Sequence, residues 1–424
     1  MPARPQALLM APGPRGEVMR ARLQRLLGRR SRVLAPAQPG EAMLELQRRG
    51  PAPLRGHPGA TSEHFSVAAV IPSFRRGSGG HGTIARLLRT LARRGHEVSV
   101  WLEDNEGRHA REDPELTKRS FREFFGAGEL VLETDFARWP GADVVLATGW
   151  QTVARTLLLE DCAARAYLVQ DHEPEFYGTS AESLWAADSY RAGLHCIAAS
   201  PWLAGLLRER YGASATHFDL APDHALYREQ GTPREDLVVF YARSATPRRA
   251  VPLGLLALAE LARRRPGTRI ALFGEAGRVA APFAHEDLGV LEPAALARLY
   301  GRAQVGMVLS MTNPSLVNLE MMACGLPCVE LASDAMSASF GESGAPALAA
   351  ASATALCEAI ERLLDDDDAR GRARAKGLSV TAARSWESAA EQVEQGLRTA
   401  FAHARGASAE PERARGAAQR GGPG

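Results

Sequence analysis

The chain lacks any long apolar run. No stretch approaches the ~20 residues that a membrane-spanning helix requires. The N-terminus has no signal-peptide pattern, since Arg4 is followed only by a short apolar patch before Pro12 and Pro14. Neither an integral membrane protein nor export by that route is expected, and a cytoplasmic location is. Cysteine is sparse: Cys162, Cys196, Cys324, Cys328 and Cys357 are odd in number and scattered among apolar neighbours. That usage speaks for reduced, mostly buried thiols rather than a disulfide framework. Cys324 and Cys328 are close in sequence, but no second Cys or His pair completes a zinc site, and no metal is expected. Net charge is nearly absent, with 51 Lys+Arg against 49 Asp+Glu, so nothing calls for nucleic acid as a partner.

What is present is an ordinary globular composition, 45% hydrophobic and 24% charged, spread over 424 residues. That length is too great for one core, so two domains with tails are expected. Residues 1–63 are rich in Pro, Gly and Arg and read as a partly disordered extension. Within it, Val18 to Leu27 sets Arg20, Arg22 and Arg25 among Met19, Leu23, Leu26 and Leu27. Such a basic amphipathic helix is a candidate for peripheral contact with the inner membrane; a solvated or partner-packed helix is the preferred reading. Residues 406–424, rich in Gly, Ala, Arg and Pro, read as a disordered tail.

Between the tails the pattern is strand then helix, repeated. Val67 to Pro72 is a continuous apolar strand, followed by the glycine-rich turn Gly77-Ser-Gly-Gly-His-Gly82 and a helix from Thr83 to Arg94. Gly95 ends that helix and Glu97 to Leu102 returns as a strand. Further strands are expected at Asp143–Ala147, Ala166–Val169 and His195–Ala199. Ser200-Pro201 then opens another helix, with Ser as N-cap. A second series begins near residue 236, with strands at Leu237–Tyr241, Arg269–Phe273, Val305–Leu309 and Cys328–Leu331. Its helices are expected at Pro252–Arg264, Pro293–Gly301 and Thr354–Leu364. The linker lies within Leu220 to Glu235. Alternation of this kind implies two parallel, doubly wound sheets whose ligands bind outside the carboxyl ends of the strands. The expected divisions are a first domain at 64–222, a second at 233–380 and a final helix to 405.

Four segments carry candidate chemistry. Gly77–Gly82 also fits a dinucleotide spacing, but no acid clearly ends the next strand, although Glu103 and Asp104 come close. Its glycines and the following helix N-terminus suit an anion. Arg243 and Arg248, with Arg249 beside them, follow the first strand of the second series, where two cations can grip a diphosphate. Asn313-Pro-Ser315-Leu316-Val-Asn-Leu-Glu320 joins a strand to a short helix, a layout that presents backbone N–H groups to phosphate and a carboxylate to hydroxyls. Gln170-Asp171-His172-Glu173-Pro-Glu-Phe-Tyr177 gathers acids, a His and aromatics on one loop.

Leu319-Glu-Met-Met-Ala-Cys-Gly-Leu-Pro-Cys-Val329 resembles the "LEAMACGxPVV" donor signature of GT-B glycosyltransferases. Gly79-Gly80, Leu87, Leu91 and Gly95-His96-Glu97-Val98 resemble that family's "GG…L…L…GHEV" opening. The resemblance covers about residues 65 to 400. It implies two Rossmann-like domains facing across a cleft, with a C-terminal helix crossing back to the first. It implies that Arg243 and Arg248 hold the donor diphosphate, Arg standing where the family has Lys, with Asn313, Ser315, Leu316 and Glu320 completing the donor site. It places Gly79, Gly80, His81, Gly82 and Glu173 toward phosphate or acceptor, and makes Asp171 and His172 catalytic candidates. The family's other acid falls on Thr312, a departure that argues against a glucosyl or mannosyl donor. With the Gln170–Tyr177 block, this departure resembles bacterial dTDP-rhamnosyltransferases of surface-glycan assembly. A nucleotide-sugar donor, a growing polysaccharide or lipid-linked glycan acceptor, retention of configuration and no cofactor are the implied properties. The alternatives are a sugar-nucleotide epimerase of the same fold, a non-catalytic two-domain binding protein, and a nicotinamide enzyme using Gly77–Gly82.

Overall fold

The computed structural model describes residues 40–56 and 63–419, those from 406 onward as backbone only. The amphipathic candidate Val18–Leu27 lies outside the described residues. Within them, no helix is long and apolar enough to cross a membrane.

The alternating pattern folds into two parallel sheets. The first contains β1 (Ser66–Pro72), β2 (Glu97–Glu103), β3 (Val131–Glu133), β4 (Ala142–Ala147), β5 (Cys162–Val169), β6 (His195–Ala198) and β7 (Ala215–His217), in the order β3-β2-β1-β4-β5-β6-β7. The second contains β8 (Leu237–Tyr241), β9 (Arg269–Phe273), β10 (Glu286–Asp287), β11 (Val305–Met307), β12 (Cys328–Leu331) and β13 (Ala347–Ala349), in the order β10-β9-β8-β11-β12-β13. Helices cover both faces, which is why β1, β4 and β8 are mainly apolar and buried nearly throughout, with Asp143 the charged residue of β4. Register is parallel everywhere, with Val67 opposite both Val98 and Val144 and Val239 opposite both Ala271 and Gly306.

Sheet growth reverses direction between β1 and β4 and again between β8 and β11. At such a switch point the two connections leave on opposite faces and open a crevice at the carboxyl ends. The loops that border these two crevices are those singled out in the sequence.

Several boundaries differ from expectation. The first helix spans Gly79–Arg93 rather than beginning at Thr83, so three of the glycines form its first turn and only Gly77 sits in a left-handed conformation, at φ 77°. Glycine in a helix costs about 1 kcal/mol against Ala. Burial of Ile84, Leu87, Leu88 and Leu91 on one face outweighs it, at roughly 1.5–3 kcal/mol for each large side chain. β11 stops at Met307, although Val308 and Leu309 remain buried. Within the N-terminal extension, read as partly disordered, Glu41–Arg49 is a helix. After it, Ala52 N donates to Leu157 O and Arg55 N to Cys162 O, both at 2.9 Å, tying 52–55 to the first sheet.

The last helix begins at Trp386 and runs to Gln419, through the stretch read as a disordered tail. It buries Trp386, Ala389, Ala390, Val393, Leu397 and Phe401 against the first sheet, as the crossing helix is expected to do. Gly396 allows the close approach, since a Cβ there would lie 2.8 Å from Ile197. Glu394 on this helix accepts from Arg94 Nε at 2.9 Å and Arg398 Nη2 at 2.7 Å, with His96 Nε2 3.4 Å away. Burial alone would raise the Glu394 pKa, but hydrogen bonds from Arg398, Arg94 and His96 outweigh it and hold it at about 2. A folded pKa below the unfolded value means that this stabilisation is present above the unfolded value and is lost as pH falls through about 2. Glu394→Gln is expected to remove roughly 1–3 kcal/mol at neutral pH and much less near pH ~2. Urea unfolding of both proteins at the two pH values checks the difference.

Candidate functional site

The arginines follow β8. That strand ends at Tyr241, a short 3-10 turn spans Pro247–Arg249, and Ala250 at φ 43° swings the chain into the helix Val251–Arg264. Arg243 and Arg248 both reach the first lobe. Arg243 Nη1 donates to Gly77 O at 3.2 Å. Arg248 Nε donates to Asp171 Oδ2 at 2.8 Å, and its guanidinium carbon lies 3.9 Å from the Phe176 ring centre. A cation held over a ring face and against a carboxylate has one orientation, not many. Arg249 points the other way: it is buried, and its Nη1 donates to Ser310 Oγ. Burial lowers the Arg249 pKa, the Arg248 charge adds to this, and Asp171 and Glu330 oppose it. Arg249 thus faces the second lobe's interior.

Asp171 is the centre of a clasp between the lobes. Its Oδ1 accepts from His172 N at 2.9 Å and from Asn313 N at 3.0 Å, while Oδ2 takes Arg248. Asn313 is fully engaged in the first lobe. Its Nδ2 donates to Gln170 O at 3.1 Å and Ala199 O at 2.9 Å, and its Oδ1 accepts from Ser200 Oγ at 2.6 Å. Ser315 caps the helix Leu316–Ala323 by accepting from Val317 N at 3.3 Å, and Leu316 packs against both hydrophobic cores.

A buried carboxyl beneath this loop escaped the sequence reading. Glu330 has no exposure at all. Its Oε1 accepts from Ser310 N at 2.6 Å and Leu331 N at 2.8 Å, and its Oε2 from Asn318 Nδ2 at 2.7 Å. Burial pushes its pKa up to about 7, against the pull of those donors and Arg249. An acid inside the apolar strand Cys-Val-Glu-Leu was the available signal, because Glu is almost never fully buried unless paired.

The remaining candidates divide. His81 is buried within its own helix start, its Nδ1 2.8 Å from Ser78 Oγ and its Nε2 3.1 Å from Pro72 O, and burial lowers its pKa. Gly79, Gly80 and Gly82 form the first turn of that helix, Gly80 close to Gln170. His172 is also interior, with Nε2 2.7 Å from Tyr211 Oη and Nδ1 2.9 Å from Glu175. Glu173 is buried and accepts from Trp150 N at 2.7 Å, at the start of the helix Trp150–Leu158; desolvation pushes it up to about 7. Glu320 is half-buried and raised to about 8 by desolvation, with Arg86 and a hydrogen bond from Tyr227 opposing. The Thr312 hydroxyl is buried without a hydrogen-bond partner among the described residues. Of the two acids considered for a nicotinamide ribose, Glu103 accepts from Arg155 and Asp104 from Ser73, Arg108 N and His109 N.

The structure therefore joins Arg243, Arg248, Asp171, Asn313 and the Gly77 turn at one cleft, and sets Glu320 in a second group with Arg86 and Tyr227. His81, His172, Glu173 and Arg249 lie within the lobes.

Residues 236–360 match the family model described as WsaF, C-terminal domain. The chain is 29% identical over 280 residues to the O-antigen biosynthesis protein RfbC of Myxococcus xanthus, a match covering 63% of this chain and 22% of that protein. It is 30% identical over 246 residues to a D-inositol 3-phosphate glycosyltransferase of Segniliparus rotundus, covering 50% of this chain and 53% of that one. The chain thus spans about a fifth and about a half of these relatives. Among solved structures, HepE of Anabaena in complex with UDP and glucose superposes with a TM-score of 0.59 at 14% identity, over 79% of this chain and 100% of that one. The family match falls within the second lobe, and the two lobes together have the GT-B fold.

Proposed function

We propose that this chain is a glycosyltransferase of O-antigen or related surface-glycan assembly that transfers a sugar from a nucleotide-sugar donor. The observation that carries the reading is the pair Arg243 and Arg248 at the carboxyl end of β8, one meeting Gly77 and the other Asp171 across the cleft. The likeness to RfbC supports the pathway, and the likeness to HepE with UDP and glucose supports the donor class.

In this reading the two guanidiniums neutralise the departing nucleotide diphosphate. Stabilisation of developing charge by fixed cations is commonly the largest single contribution in such chemistry. The reaction is taken to be metal-independent and retaining, with the nucleotide leaving from the face that the acceptor enters and the leaving phosphate accepting the acceptor proton. Glu320, largely protonated at neutral pH by its raised pKa of about 8, can donate to a ribose or sugar oxygen as well as accept. Thr312, uncharged where the family has an acid, suits a deoxyhexose such as the rhamnose of a dTDP-sugar. The acceptor is a growing polysaccharide or lipid-linked glycan.

A thermal-shift panel of UDP, GDP, dTDP and ADP tests this. One of them, at ~100 times its dissociation constant, is expected to add about 2.7 kcal/mol of stability, with dTDP the preferred match. Arg243→Ala should abolish the shift. No response of the unaltered protein to any of the four would sink the proposal.

A further inference from the structure

Three half-buried aromatic residues of the first lobe, Trp150, Tyr177 and Trp185, form one group that the donor reading leaves unused. Trp150 opens the helix after β4, Tyr177 ends the turn after β5, and Trp185 lies on the helix Ala181–Ser189. The Trp150 ring centre is 6.1 Å from that of Tyr177 and 6.1 Å from that of Trp185, and Trp150 Nε1 donates to Tyr177 Oη at 3.1 Å. The group is therefore rigid. It is also anchored, since Trp150 N donates to Glu173 Oε2, two residues from Asp171.

Its position gives it meaning. Phe176, whose ring centre is 6.5 Å from that of Tyr177, carries the Arg248 guanidinium on its face. The aromatic group is thus continuous with the proposed diphosphate grip and lies on the opposite lobe from it. Burial raises the Tyr177 pKa, the hydrogen bond from Trp150 opposes this, and the charges of Glu173, Glu182 and Glu106 add to the rise. Contiguous exposed apolar surface is one mark of a ligand-binding groove. A pyranose ring has an apolar C–H face and a rim of hydroxyls. Its C–H face fits an aromatic wall of the kind that binding sites use.

We propose that Trp150, Tyr177 and Trp185 form the acceptor subsite, a shelf on which the saccharide to be extended lies with a ring face against the aromatics. The proposal rests on the glycosyltransferase reading and adds to it the acceptor's binding surface. It requires a carbohydrate acceptor, not a protein or a bare lipid phosphate.

The test uses the full chain and an array of immobilised bacterial surface polysaccharides, in parallel with the UDP and dTDP thermal shifts. The unaltered protein is expected to bind a subset of glycans. Trp185→Ala should lower that signal at least 10-fold and leave the nucleotide shift as it was. Trp185→Leu keeps apolar bulk but not the ring face; it should keep the melting temperature and still lose glycan binding. Glycan binding equal to the unaltered protein in the Leu variant, or no glycan bound by the unaltered protein while it responds to nucleotide, overturns the shelf and spares the donor assignment. Failure to respond to any nucleotide overturns the glycosyltransferase reading and the shelf with it.

Discussion

Arg248→Ala is expected to reduce sugar transfer by on the order of 10²–10³-fold and to weaken binding of the nucleoside diphosphate in proportion. The side chain holds three positions at once: Nε on Asp171, guanidinium over Phe176, and the remaining N–H groups available to a ligand. Removing it deletes the cation and also frees the Asp171 carboxylate, which then repels an incoming diphosphate. Arg248→Lys should recover only part of the loss, because an ammonium has no planar fork to stack on Phe176 while bonding Asp171. Calorimetric titration with dTDP and UDP, together with initial rates on the matching nucleotide-sugar, separates the two effects. Unchanged affinity and rate in Arg248→Ala would remove the residue from the site.

Glu330→Ala is expected to be the most destabilising single substitution in the second lobe, by roughly 3–5 kcal/mol. Glu330 meets two backbone N–H groups and the Asn318 amide, and its charge faces the buried Arg249. Alanine leaves these donors without an acceptor and removes one of the negative charges, Asp171 being the other, that favour the Arg249 guanidinium. Glu330→Gln should be milder. Asn318 Oδ1 has no partner in the present arrangement, so a flipped Asn318 can accept from the new amide. The midpoint of urea unfolding should fall with an unchanged slope in both variants, further in the alanine one. A loss under ~1 kcal/mol for the alanine variant would mean that the network is not what holds the loop.

The fold was legible because its signals are local and redundant. β8, β9 and β12 fall at the expected bounds, since strands buried on both faces read as apolar runs even where Arg269 opens one and Glu330 sits inside another. The start of the first helix was misplaced because four glycines between residues 77 and 82 carry turn signals whatever they form. Only packing of the residues that follow decides that Gly79, Gly80 and Gly82 are helical. The placement of Arg243, Arg248 and Asn313 at the cleft was legible for a different reason, their position after a strand and before a helix. His81 and His172 were misleading: both lie in polar loops of the sequence, yet both turn inward to partners distant in sequence or in their own turn.

The chain order of strands and helices, the two parallel sheets and the segments that border the cleft were settled by residue pattern, because periodicity, glycine and the carboxyl ends of strands act over a few neighbouring residues. Which arginines cross to the first lobe and which faces Ser310, that Asp171 clasps Asn313, and that Glu330 sits beneath the loop were decided only in three dimensions. Each of those outcomes depends on hydrogen bonds between residues far apart in the chain, whose energies no local pattern contains.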